Sequence, residues 1–171
     1  MGIPAYFSHI IKDYRSIIEK LHHLKKNVDV FALDSNSIVY DCVHQFPWDS
    51  TIISRQDYER DLIKRVCLKI KEYMNIIRPK QHIIIALDGV APFAKMNQQK
   101  SRRMKSEIEK NEMCNHGKTW NTSAITPGTA FMNSLGNGLR AFFSKNKHVI
   151  VMDSAVAGEG EHKIFQWLRN S

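Results

Sequence analysis

Residues 82–92 read HIIIALDGVAP, an unbroken apolar run that stops at Asp88, turns through Gly89 and reaches Pro92. A run of this length with no polar interruption predicts a strand buried on both faces, as in a parallel sheet. Two other runs share the pattern. Val28-Asp29-Val30-Phe31-Ala32-Leu33 ends at Asp34, and His148-Val149-Ile150-Val151-Met152 ends at Asp153. Helical spacings lie around them. One holds Ile10, Ile11, Tyr14, Ile17, Ile18 and Leu21. A second holds Tyr58, Leu62, Val66, Cys67, Ile70, Tyr73 and Ile77, and stops at Pro79. Others are expected from Pro92 or Lys95 to Met113, from Thr129 to Phe143, and after Gly158 with Ile164, Phe165 and Leu168. Residues 115–128 are polar and turn-rich, hence a loop. Alternating strands and helices predict an α/β domain with a parallel sheet flanked by helices.

The bulk composition narrows the classes. A chain of 171 residues fits one domain, and its 43% hydrophobic and 25% charged content is that of a globular protein. Lys+Arg 25 against Asp+Glu 17 gives a net charge of +8, which favours a polyanionic partner such as nucleic acid. Cys42, Cys67 and Cys114 are odd in number and form no CxxC, so no disulfide framework or structural zinc is expected, and the thiols suit a reducing, intracellular compartment. The start has no secretory pattern, Tyr6 breaks the myristoylation motif, and the apolar runs are too short to span a membrane. A soluble protein is expected. There is no Ser-His-Asp order, Walker motif or GxGxxG to support nucleophilic catalysis or nucleoside-triphosphate binding.

Ligands of open α/β sheets bind beyond the carboxyl ends of the strands, and there each run meets an aspartate. Past the third run comes Gly158-Glu159-Gly160-Glu161, whose glycines let the backbone turn and leave the carboxylates uncrowded. Hard divalent cations take oxygen ligands, and a two-metal phosphodiesterase needs several converging carboxylates. Asp34, Asp88, Glu159 and Glu161 could supply them. For any one aspartate the plain alternative is a helix N-cap, and Asp153 is assigned to that role.

Just past Asp88 lies Ala94-Lys95-Met96-Asn97-Gln98-Gln99-Lys100-Ser101-Arg102-Arg103. On a helix, Lys95, Gln99 and Arg102 share a face with Arg103 beside them, a set of donors able to grip a phosphate. The plain alternative is a solvated charged face. Tyr40, Trp48, Trp120 and Trp167 are candidates for stacking on bases, with Trp167 more readily read as core and Tyr40, shortly after Asp34, the more interesting. His44 reads as structural.

Taken together, MGIPAYF, LDSNSIVYDCVH, ALDGVAPFAKMNQQKSRR, ITPGTAFM and VAGEGEHKIFQWLR resemble, in collinear order, the N-terminal region of the Xrn family of 5′→3′ exoribonucleases. A looser relation to flap endonucleases runs through the acidic plan. The resemblance implies a partial PIN/5′-nuclease-like core and residues 1–171 as an N-terminal exoribonuclease domain. It implies Mg2+ (with Mn2+ able to substitute) on Asp34, Asp88, Glu159 and Glu161, and a 5′-monophosphate held by Lys95, Gln99, Arg102 and Arg103. The implied partner is single-stranded RNA with a 5′-monophosphate, degraded to mononucleotides. Tyr40 stands where the family has a stacking histidine; Ser37, Phe93 and Ala157 replace a glycine, an arginine and a proline. In the family, further metal-binding aspartates follow the region matched here. A segment supplying them in trans is therefore an expected partner, and a non-catalytic RNA-binding fragment or a flap-type DNA nuclease are the alternative readings.

Overall fold

The computed structural model describes residues 5–18, 27–93, 95–97, 100, 101, 104 and 120–171. Three strands form one parallel sheet in the order β1-β2-β3: β1 at Val30–Asp34, β2 at His82–Ala86 and β3 at Val149–Met152. Register pairs Leu33 with Ile85 and Asp34 with Ala86, and Ala86 in turn with Met152. All three runs therefore end at one edge. Backbone bonds carry the alignment further, Ser35 N–H to the Ala86 carbonyl at 2.8 Å and Leu87 N–H to that of Met152 at 2.9 Å.

The sheet advances in one direction, so right-handed crossovers put the connecting helices on one face. These are α2 (Asn36–Gln45), α3 (Arg55–Ile77) and α4 (Ala130–Phe142). Their inward residues make the core: Ile38, Val39, Leu62, Val66, Ile70, Phe131, Met132, Leu135 and Leu139, against Ile83 and Ile85. α3 opens on Ser54, whose hydroxyl accepts the Asp57 N–H, and closes with Arg78 in the left-handed region ahead of Pro79. α5 (Gly160–Asn170) leaves β3 and returns beneath β1 and β2 on the opposite face. No helix among the described residues is long and apolar enough to cross a membrane.

Several expectations need correction. Only β2 is buried in the manner predicted; β1 and β3 are half-buried, because they are the sheet's edges and, among the described residues, α5 alone covers the second face. α2 had no counterpart in the predicted elements, although Ile38, Val39, Cys42 and Val43 show helical spacing once the helix is drawn. The N-terminal helix, α1, runs Tyr6–Asp13, buries none of its residues and gives way to a 3-10 turn at Arg15–Ile17; Leu21, the last residue of the expected pattern, lies outside the described residues. So short a helix gains nothing from packing that would extend it. On α5, Phe165 and Leu168 point outward, and the inward stripe is Gly160, Lys163, Ile164 and Trp167. Trp167 is part-buried, edge-on to His82 at 5.3 Å, as its structural reading requires.

Trp120 and Trp48 are not free to stack on bases. Trp120 is buried between Tyr58 and Phe131 with its Nε1 donating to Glu59, and the Trp48 Nε1 donates to the Ile53 carbonyl. Cys42 and Cys67 are buried free thiols, and burial pushes Cys67 up to about 11; Cys114 lies outside the described residues. The polar stretch ahead of α4 is irregular where it is described, from Trp120 to Gly128, with one 3-10 turn at Thr122–Ala124.

Leu62 sits fully enclosed where α3 meets α2 and the sheet. Leu62→Ala is expected to destabilise the chain by about 2–5 kcal/mol in urea unfolding; a loss under about 1 kcal/mol would mean that this core is loosely packed.

Candidate active site

Asp34 is the last residue of β1, Asp88 lies two residues past β2, and Glu159 is the N-cap of α5. Strand alignment alone would bring the two aspartates close. The α5 N-terminus adds the rest: the Gly160 N–H donates to Asp88 Oδ1 at 2.8 Å, an acceptor at the positive end of a helix dipole. Gly158, at φ 96°, makes the turn that aims this terminus. Gly160 is required for a different reason, since a Cβ there would lie 2.6 Å from Asp34 Oδ1. Both glycines of the GEGE motif thus have the roles expected of them.

Asn36 was not among the candidate residues, yet it fixes Asp88 from the other side. Its Nδ2 donates to Asp88 Oδ2 at 2.9 Å and its Oδ1 accepts the Asp88 N–H at 3.2 Å. A single amide therefore ties the start of α2 to the β2 exit. The only clue in the sequence was its place two residues after Asp34.

Lys163 was also missed. It is 3% exposed, and its ammonium donates to the carbonyls of Leu87 at 2.6 Å and Asp153 at 2.8 Å. Burial lowers its pKa, against the pull of Asp153, Asp88 and Asp34. Asp153 does not join the acidic cluster, but neither does it cap the last helix. It pairs with Arg140 and accepts the Ala155 N–H, bracing the β3 exit against α4.

Of the four predicted carboxylates, Asp34 feels the other three. Burial pushes the Asp34 carboxyl up first, then the Asp88 charge, with smaller contributions from Glu161 and Glu159, against one backbone N–H from Asn36. Glu159 and Glu161 bring ligand atoms within 4.8 Å of one another and of His162, a further nitrogen donor that had not been singled out. This donor set, rich in carboxylate oxygen and internally repulsive, fits a hard divalent cation.

Lys95 comes from a helical stretch whose described residues begin at Phe93, where the Lys95 and Met96 N–H groups turn back on the Pro92 carbonyl. Its Nζ lies 2.6 Å from Glu159 Oε2, and that hydrogen bond raises its pKa. Gln99, Arg102 and Arg103 lie outside the described residues, as do residue 98 and residues 105–119, so the expected helix to Met113 is described only in part. Tyr40 is exposed on α2, one turn beyond Asn36. His44 is exposed at the end of the same helix.

Because the folded chain holds the Asp34 proton to higher pH than the unfolded chain does, stability falls as pH rises from the usual carboxylate range through that raised value. Asp34→Asn is expected to remove this slope and to raise Tm by roughly 1–3 °C in thermal melts without divalent cations. A lower Tm would show that the carboxylate is stabilising instead.

The XRN 5'-3' exonuclease N-terminus family matches residues 1–171. A protein of Cryptococcus neoformans var. neoformans serotype D named 5'-3' exoribonuclease 2 is 32% identical over 99% of this chain and 19% of its own length. 5'-3' exoribonuclease 1 of Saccharomyces cerevisiae is 33% identical over 99% of this chain and 12% of its own. 5'-3' exoribonuclease 2 of Gallus gallus is 31% identical over 99% and 22%. The chain spans about a fifth or less of the length of these curated relatives, and the shared region is the one that carries the acidic strand ends, Lys95 and the GEGE turn. By that match, and with the parallel, PIN-like sheet it presupposes, the chain belongs to the XRN 5'-3' exonuclease N-terminus family.

Proposed function

We propose that residues 1–171 form the N-terminal domain of a magnesium-dependent 5′→3′ exoribonuclease that acts on single-stranded RNA with a 5′-monophosphate and releases mononucleotides. The observation that carries this reading is that Asp34 and Asp88 both lie against Gly160, at the helix start where Glu159 meets the Lys95 ammonium and comes within reach of Glu161. The carboxylates are the residues that would hold Mg2+, or Mn2+ in its place. When bound there, a hard divalent cation supplies Lewis acidity and a more acidic water.

The chain's own groups do the positioning. Asn36 and the Gly160 N–H hold Asp88 in a fixed orientation, so its carboxylate pays little to reorganise. Lys95 presents a point charge to a terminal phosphate, and Gln99, Arg102 and Arg103 are the further donors that the sequence offers for that grip. The exposed ring of Tyr40 offers a stacking surface to the first base. A phosphate held at the helix start places the first linkage, and no later one, beside the carboxylates. That geometry favours removal of one nucleotide at a time from the 5′ end.

The test compares 5′-monophosphorylated with 5′-hydroxyl single-stranded RNA and branched DNA in saturating Mg2+. Mononucleotide release from the phosphorylated RNA is expected, and Asp88→Asn should abolish it. Lys95→Met should weaken binding of the phosphorylated RNA by about 10- to 100-fold and leave 5′-hydroxyl RNA little changed. Hydrolysis that survives Asp88→Asn sinks the assignment. RNA binding without turnover selects a non-catalytic binding module, and preference for branched DNA selects a flap-type nuclease.

A further inference from the structure

Lys95 belongs to the stretch that follows β2, whereas Glu159 caps α5, 64 residues later in the chain. Their contact therefore joins two subsites, one for phosphate and one for cation, through one ammonium. Glu159 is 7% exposed, and the Lys95 side chain is about a third exposed. A pair so placed is only partly screened by solvent. Glu161 and Asp88 pull on the same ammonium. Its single charge cannot serve Glu159 and an incoming phosphate at full strength together. A cation that uses Glu159 must compete with Lys95, and a phosphate that draws Lys95 away frees that carboxylate. Each ligand lowers the cost of the other, and such coupling is reciprocal.

We propose that the Lys95–Glu159 pair is a specificity device that makes 5′-phosphate recognition and divalent-cation binding one cooperative event. A 5′-hydroxyl end brings no charge to draw Lys95 off, so Glu159 stays tied to the ammonium and the cation site stays weak. Discrimination against unphosphorylated ends then acts on cation affinity as well as on RNA affinity. This inference rests on the cation and phosphate subsites of the proposed function, and it assigns Lys95 a second role within them.

The experiment measures Mn2+ affinity by the electron paramagnetic resonance of free Mn2+, with and without an oligoribonucleotide whose first linkage resists hydrolysis. In the unsubstituted chain, a 5′-phosphorylated oligonucleotide should tighten Mn2+ about fivefold or more, and its 5′-hydroxyl counterpart should not. Lys95→Met should bind Mn2+ more tightly by itself and show no further tightening. Glu159→Gln provides the independent arm: it should bind the phosphorylated oligonucleotide more tightly than the unsubstituted chain does when no Mn2+ is added. Unchanged Mn2+ affinity in Lys95→Met, or tightening that persists in it, overturns the proposal. If the unsubstituted chain prefers the 5′-phosphate but shows no mutual tightening, the inference fails and the functional reading stands. If it shows no preference for the 5′-phosphate, the functional reading fails with it.

Discussion

One buried ammonium underlies the arrangement at the sheet edge. Lys163 sits almost wholly out of water beneath the exits of β2 and β3 and donates to a carbonyl from each. Burying a lysine is costly, and an apolar side chain of similar volume would often serve stability better. Here it answers two needs that an apolar chain could not. The Leu87 carbonyl has left the strand ladder and needs a donor, and the Asp153 carbonyl, which already accepts the Val156 N–H, takes a second one from Lys163. The neighbouring aspartates need a nearby positive charge if several of them are to remain ionised.

Around that ammonium the acidic groups are held by donors rather than left to find their own places. Asp88 takes one N–H from the α5 terminus and one from Asn36, while Asp153 is bound to Arg140 and a turn amide. The two aspartates follow strands in the same sequence pattern but meet different fates. Asp88 faces the helix terminus and the other carboxylates; Asp153 faces α4. Proximity to Arg140 separates the structural aspartate from the members of the cluster. The repulsion that Asp34 feels from its acidic neighbours is the usual cost of a preorganised site.

The strands and their aspartates were legible in the sequence because the signal is local: an apolar run, then an acid, three times over. The carboxylate cluster was legible because parallel strands end together. Lys163 was not, since a lysine on a helix reads as solvent-facing and only the position of α5 under the sheet turns it inward. Asn36 was not legible either, because the residue it serves is 52 positions away. Trp120 and Trp48 looked available because they stand in polar stretches, but those stretches fold back over Tyr58. α2 escaped because its inward set is only four residues within a ten-residue helix. In each case the missing information was long-range packing, which no window along the chain contains.

α5 is both the sole described cover of the sheet's second face and the carrier of the Glu159–Lys163 segment. A movement that lifts it from β1 and β2 would withdraw Glu159, Glu161, the Gly160 amide and the Lys163 ammonium in one stroke. On that geometry the lower layer and the chemistry above it are expected to open together, as a foldon does in native-state exchange. Such a site would keep Asp34 and Asp88 but lose its other two carboxylates together. Its integrity is therefore written in the protection of the α5 amides, far along the helix from any carboxylate.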